Sequence, residues 1–200
     1  MLTLDWKGVL GALFIVVLII GITGDWRYIA VMVVFLLAAA YVTTIGIAYK
    51  KTHGFFEFKR GIKNVISNGL VPVIFAILNM PGPFLGAMAA VTADKFASEL
   101  GIFDKEVWDV VKRKKVDPGR DGGVSKYGLL ASLVGAAIIA LVGGFLFELP
   151  LEKTLIITLA GFLGSLADSV AGHFEAQGIG TKETSNIIGS LVGALIGFLV

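Results

Sequence analysis

Two aspartates carry the strongest chemical signal in this sequence. Asp94 and Asp168 each sit near the end of a long apolar run. A carboxylate at the centre of a membrane helix costs roughly 2.5–3.5 kcal/mol on insertion scales, so it faces a bundle interior or a wet cavity. Glycine and alanine rows place both on packed faces. Gly86, Ala90, Asp94 and Ser98 recur every four residues, as do Gly164, Asp168 and Gly172. Such rows let helices approach closely. Gly128, Ser132, Ala136, Ala140 and Gly144 form a third row, and Gly189, Gly193 and Gly197 a fourth. The two carboxylates are therefore expected to meet at one depth. Paired carboxylates with phosphate oxygens and water suit Mg²⁺, so both are candidate metal ligands and catalytic residues.

Other polar residues cluster at the same ends of their apolar runs: Asn64 and Asn68, Lys95, Ser98 and Glu99, Ser125, Ser169 and His173, Ser185 and Asn186. Glu99 lies five residues past Asp94, about 140° around a regular helix. It is expected to anchor neighbouring groups rather than share the Asp94 face. The loop 117–125 has three glycines, Gly119, Gly122 and Gly123, with Asp121 among them. Such a loop can offer consecutive N–H groups to an anion, and the helix start that follows adds its positive end. It lacks the Gly-Lys-Ser/Thr spacing of a Walker A loop. Arg60 and Lys63 border this set and are expected to hold phosphate, with Lys63 counted as catalytic. No Ser–His–carboxylate set is evident. His53 reads as a loop residue and His173 as a hydrogen-bonded interfacial one.

The elements that position these residues follow from composition. Of 200 residues, 56% are hydrophobic and 16% charged, against about 25% charged in soluble domains. Lipid must solvate much of this surface. Disorder, coiled coil and nucleic-acid binding are excluded, and with no cysteine so are disulfides, zinc–thiolate sites and a Cys nucleophile. Apolar runs predict an all-α, polytopic bundle of about seven helices in a single membrane domain over 1–200. The runs are 8–24, 28–49, 64–79, 83–100, 127–147, 154–174 and 184–200. The break at Asn79-Met80-Pro81-Gly82-Pro83 divides one over-long run in two. The first run, with its weak positive flank, reads as a retained helix rather than a cleaved signal.

Of 17 Lys and Arg, all but Arg27 and Lys153 fall on one side of that topology. The positive-inside rule makes the N-terminus and the loops about 50–63, 101–126 and 175–183 cytoplasmic, in a multi-pass protein of the cell membrane. Phe55, Phe56 and Phe58 read as an interfacial segment. The run Lys112–Lys115 reads as a basic face near anionic lipid.

At these motifs the sequence resembles a known integral-membrane family, formerly a domain of unknown function. That family includes human transmembrane protein 19 and plant phytyl-phosphate kinase. The matching stretches are Arg60-Gly-Ile-Lys-Asn-Val-Ile-Ser-Asn-Gly69, Ala90-Val-Thr-Ala-Asp-Lys-Phe-Ala-Ser-Glu-Leu-Gly101, Pro118-Gly-Arg-Asp-Gly-Gly-Val-Ser125, Gly161-Phe-Leu-Gly-Ser-Leu-Ala-Asp-Ser169 and Asn186. Where the family often has Asp-Thr-Trp, this chain has Asp94-Lys95-Phe96, and His173–Gln177 also departs from the pattern. The resemblance implies a polyprenyl-phosphate kinase. A phosphoryl group would pass from a nucleoside triphosphate, with CTP favoured, to an isoprenyl monophosphate such as phytyl or geranylgeranyl phosphate. It implies Mg²⁺ as cofactor, and the nucleotide, the isoprenyl phosphate and membrane lipids as partners; composition argues against nucleic acid, and the glycine rows could serve contacts between chains of a homo-oligomer as well as within one. The alternatives are a transporter and a lipid-phosphate-binding protein without catalysis.

Overall fold

The computed structural model describes residues 6–55 and 61–200. The expected Arg60, Phe56 and Phe58 lie outside the described residues. Among the described residues eight helices form: α1 Trp6–Thr23, α2 Trp26–Thr44, α3 Ile47–Thr52, α4 Ile62–Ile77, α5 Pro81–Gly101, α6 Lys126–Leu146, α7 Leu151–Glu175 and α8 Lys182–Gly197. Seven match the runs expected from the sequence. The additional α3 splits off the end of the second run, because Gly46 takes a left-handed backbone (φ 63°). α1, α2, α6 and α7 are long and apolar enough to cross a membrane.

The helix ends follow local chemistry. Asp25 caps α2 by accepting from the Arg27 N–H at 2.9 Å. Pro81 stands in the first turn of α5, where its missing N–H costs nothing. Ser125 caps α6 by accepting from the Gly128 N–H at 3.1 Å. Thr181 and Thr184 close α8 with a reciprocal capping pair.

α5 is the central helix, buried from Gly82 through Ala93. α6, α7 and α8 pack around it, and α1, α2 and α4 lie outside. The glycine rows make the inner contacts. A Cβ at Gly86 would lie 2.2 Å from the Gly193 carbonyl oxygen, and one at Gly82 would lie 2.4 Å from that of Gly197. A Cβ at Gly164 would lie 2.5 Å from the Ala90 Cβ and 2.7 Å from the Gly189 carbonyl oxygen. Backbone therefore meets backbone across α5, α7 and α8, on the faces that carry Asp94 and Asp168.

The 101–126 connection, expected as a plain loop, holds a small antiparallel sheet of order β2-β1-β3: β1 Val107–Asp109, β2 Lys115–Val116 and β3 Gly123–Ser125. This sheet, Gly54 and Phe55 after α3, and the facing ends of α7 and α8 lie at one end of the bundle, around a shared cavity. At the other end Tyr28 is fully buried. Its hydroxyl donates to Asn79 Oδ1 at 3.0 Å, and its ring meets Phe84 edge-on at 4.8 Å. Lys114 and Glu148 thus belong to connections at opposite ends.

The absence of cysteine makes a labelling test simple. Lys114→Cys should resist a membrane-impermeant maleimide in intact cells and react after lysis, whereas Glu148→Cys should react in both. Labelling of both from the same side would refute the expected orientation.

Candidate functional site

Asp94 projects from α5 and Asp168 from α7, and their carboxyl groups are side-chain hydrogen-bond partners. They line a cavity of about 340 Å³ at the sheet-bearing end. Lys95, Ser98, Glu99, Gly119, Asp121, Gly122, Gly123, Ser125, Ser169 and Asn186 line it too. Residues from the central helix, the loop and the last two helices thus converge there.

Two surrounding charges, Lys182 and Glu175, have no role in the expected site, and Arg120 enters it only as part of the 119–125 loop. The charge of Lys182, in the first turn of α8, acts on both aspartates. Arg120 lies on the cavity wall. Glu175 accepts from the Ser185 hydroxyl at 3.0 Å, tying α7 to α8. Lys182 was counted only as a loop cation, because a lysine at a helix start gives no signal of what it faces. Lys182→Gln keeps length and removes charge. It should raise the Michaelis constant for a phosphorylated substrate about tenfold in steady-state kinetics, since a charge-assisted contact is worth about 1.5–3 kcal/mol. An unchanged constant would exclude Lys182 from phosphate binding.

Several expected residues have structural partners. Glu99 accepts from Lys50 Nζ at 2.6 Å, from the Thr43 hydroxyl at 3.0 Å, and from Lys95 four residues earlier. Lys50 is fully buried and also donates to the Val42 and Thr43 carbonyls, both at 3.2 Å. It thereby satisfies backbone groups that the end of α2 leaves open. Glu99 is the hub joining α2, α3 and α5, in keeping with the anchoring place its helical angle gave it. Ser125 lines the cavity while its side chain caps α6 and donates to the Gly101 carbonyl at 3.3 Å. The Ser169 hydroxyl donates back to the Ser165 carbonyl at 3.2 Å.

Lys63 and Asn64 are not brought to this cavity. Lys63 is exposed in the first turn of α4, and its charge acts on Glu183. Asn64 and Asn68 line a second, smaller cavity. Asn68 Nδ2 donates to the Asn64 carbonyl at 2.9 Å and to Asn64 Oδ1 at 3.0 Å. Asn186 stands between the two cavities. In one orientation its amide nitrogen donates to Ser67 Oγ and Asn68 Oδ1, each at 3.4 Å. With the amide turned over, the nitrogen donates to Asp168 Oδ2 at 3.1 Å and to the Lys182 carbonyl at 3.3 Å.

The glycine loop is docked rather than open. Gly119 and Gly122 take left-handed backbones (φ 81° and 77°). The Arg120 N–H donates to the Asp117 carbonyl at 3.3 Å, and the Gly123 N–H to the Arg120 carbonyl at 3.0 Å. The continuous N–H nest expected from the sequence is reduced, because two of its donors are spent inside the turn. Behind the loop, His173 is buried and pairs with Asp109 Oδ2 through Nδ1 at 2.7 Å, while its Nε2 lies 2.7 Å from Gln177 Nε2. The Asp109 carboxyl is held below its ordinary range, chiefly by accepting from the Lys112 N–H and also by His173.

Among the described residues no group of three or more His, Cys, Asp or Glu forms a metal site. The donor set is instead two hard oxygen ligands in contact, with a cavity beside them. This suits Mg²⁺ completed by phosphate and water rather than an all-protein cage.

The family model described as "Integral membrane protein DUF92" matches residues 1–197. The chain belongs to this family. Among its relatives is an uncharacterised membrane protein of Methanocaldococcus jannaschii, 35% identical over 98% of this chain and 85% of its own length. Protein PGR of Arabidopsis thaliana is 29% identical over 85% of this chain and 71% of its own length. The chloroplastic protein VTE6 of the same plant is 26% identical over 83% of this chain, which spans only 56% of that relative. No solved structure matches the chain significantly. DUF92 membership agrees with the membrane-bundle reading, and its relatives extend from an archaeon to a plant.

Proposed function

We propose that this DUF92 protein is an isoprenyl-phosphate kinase whose site is the cavity at the sheet-bearing end. The observation that carries the reading is the contact between Asp94 and Asp168 beside the Lys182 charge, in a cavity that abuts apolar helix surface. The resemblance to the family of plant phytyl-phosphate kinase supplies the substrate class. CTP as favoured donor rests on that resemblance alone.

An acceptor phosphate oxygen attacks the terminal phosphorus of the nucleotide. The bond to the bridging oxygen breaks, leaving an isoprenyl diphosphate and a nucleoside diphosphate. The second pKa of the monoester is near 6, so the acceptor is largely ionised at neutral pH and needs no general base. What the protein must supply is positioning and charge neutralisation. Asp94 and Asp168 would hold Mg²⁺, which supplies Lewis-acid neutralisation of the phosphate oxygens when bound. Lys182 and Arg120 neutralise phosphate from the protein side. Glu99 holds Lys95 and α3 in place, and the docked loop brings Asp121 and Arg120 to the cavity wall. The basic excess of these connections argues for a cytoplasmic site, where nucleotide is available.

Transport is less well supported, because the charged residues of the site gather at one end and the far end carries the packed rings of Tyr28, Phe84 and Phe147. The direct test is nucleotide turnover by purified protein in lipid nanodiscs with geranylgeranyl phosphate and Mg²⁺, comparing CTP with ATP. Formation of the diphosphate with one nucleoside diphosphate released per turnover is the expected result. Binding of the lipid phosphate without turnover would leave a non-catalytic lipid-phosphate protein.

A further inference from the structure

The β1–β2 hairpin carries charge that the proposed site does not use. Val111, Lys112, Arg113 and Lys114 at its tip are all exposed. Among the described residues, Lys112, Arg113 and Lys114 have no carboxylate partner. Lys115 is engaged instead. It pairs with Glu106 at 2.9 Å and lies 5.5 Å from the Trp108 ring centroid. The tip is a built turn. Asp109 Oδ1 accepts from the Val111 N–H at 3.0 Å and from the Lys112 N–H at 2.7 Å. The Arg113 N–H donates to the Asp109 carbonyl at 2.9 Å, and the Asp109 N–H to the Lys114 carbonyl at 2.8 Å. Arg113 takes a left-handed backbone, φ 54°, which glycine or asparagine adopts at less cost. A cation is thus kept where a neutral turn residue would fit more easily.

The other Asp109 oxygen sets the height of this tip. Oδ2 pairs with His173 Nδ1 at 2.7 Å, and His173 lies in the last turn of α7. α7 has 25 residues, about 37 Å at 1.5 Å each, so its ends pass just beyond a hydrocarbon core of about 30 Å. Its last turn therefore stands at the headgroup layer, and the tip, closed directly on Asp109, stands there too. From this height and this unpaired charge we infer that the hairpin tip docks on the anionic phospholipid headgroups of the surrounding leaflet. Charge complementarity selects that occupant, since each Lys or Arg near an anionic leaflet adds a roughly fivefold preference. The turn is already formed by its own hydrogen bonds, so docking needs little further ordering. Of the basic run expected near lipid, Lys115 drops out and the other three cations gain a fixed height. The inference needs the membrane bundle and not the kinase reading.

The chain has no cysteine of its own, so Val111→Cys accepts a single nitroxide. Power saturation against oxygen and a neutral nickel chelate then reads its depth. The full chain is compared in nanodiscs of phosphatidylcholine alone and with phosphatidylglycerol added. With the anionic lipid, nickel accessibility should fall about threefold. Potassium chloride at about 1 M, where the Debye length is about 3 Å, should restore it. Lys112→Gln, Arg113→Gln and Lys114→Gln together should leave the label in water in both lipids. Arg113→Gly removes one charge while relaxing the left-handed turn, and should give an intermediate shift in protein at least as well folded. A label equally open to nickel in both lipids overturns the inference and leaves the tip to a soluble acidic partner. Equal burial in neutral lipid overturns it by making the contact apolar, and so does a shift that survives the triple substitution.

Discussion

Replacing either Asp94 or Asp168 by Asn should reduce phosphoryl transfer by on the order of a hundred- to a thousandfold, the usual cost of losing one preorganised electrostatic group at a reaction centre. The two carboxyl groups touch, and the charge of Lys182 acts on both. Two such groups repel unless a proton or a cation lies between them, so removing one charge weakens cation binding at the other. The double variant should be scarcely worse than either single one, as expected of parts that act as a unit. Asn keeps size and hydrogen-bonding capacity, so the bundle should stay folded. Turnover measured across a Mg²⁺ titration, with monodispersity in detergent as the folding control, decides the matter. Near-normal turnover of folded Asp168→Asn would reduce Asp168 to a packing residue on the α8 interface. Multiplicative losses in the double variant would place the two aspartates in separate roles.

Gly122→Ala should be nearly as damaging, although Gly122 bears no functional group. Its backbone is left-handed at φ 77°, and a Cβ there would lie 2.6 Å from both the backbone N and Cα of His173. Neither atom can move aside without moving α7. The loop must therefore lift, carrying Asp121 and Arg120 away from the cavity. A displacement of about 1 Å in a positioned group can cost about a hundredfold in rate, and that loss is expected in turnover. Lifting should also open the Arg120 peptide bond to trypsin in folded protein. Gly178→Ala is the control. It has a similar φ of 84° with nothing within 4 Å, so it carries the conformational strain without the clash. Equal effects from both substitutions would mean that docking on His173 contributes nothing.

The spans were legible because lipid demands long uncharged runs, and the packing faces because close helix approach demands small residues at fixed intervals. The Asp94–Asp168 contact followed from combining the two. What the sequence concealed lies in pairs far apart in the chain. Lys50 and Glu99 are 49 residues apart, and a lysine counted as a loop charge proves to be fully buried beneath α2. Asp109 and His173 are 64 residues apart, and the strands that bring Asp109 there are two or three residues long, too short for any alternating pattern. Lys63 failed as a site residue for a related reason. Adjacency in a motif says nothing of which way a helix turns, and α4 presents Lys63 outward while Ser67 and Gly69 face in. The glycine loop was recognised by composition, yet composition could not tell an open nest from a turn whose donors are already engaged.

The glycine contacts among α5, α7 and α8 bear on how a bulky amphiphile gets in and out. Where backbone rests on backbone, no side chain is available to swing aside, so these three helices must behave as a single stiff frame. The separation of the Asp94 and Asp168 backbones is then a property of the frame, and on the proposed reading it should persist through each catalytic cycle. Breathing must fall to the outer helices α1 and α2 and to the β-sheet cap. On the proposed kinase reading substrate and product share the same hydrocarbon tail, so both should use the same lateral doorway on the lipid side, while nucleotide comes and goes beneath the cap. Amide exchange should accordingly be slowest along the α5–α8 seam and fastest in α1, separating a frame that keeps geometry from a shell that admits traffic.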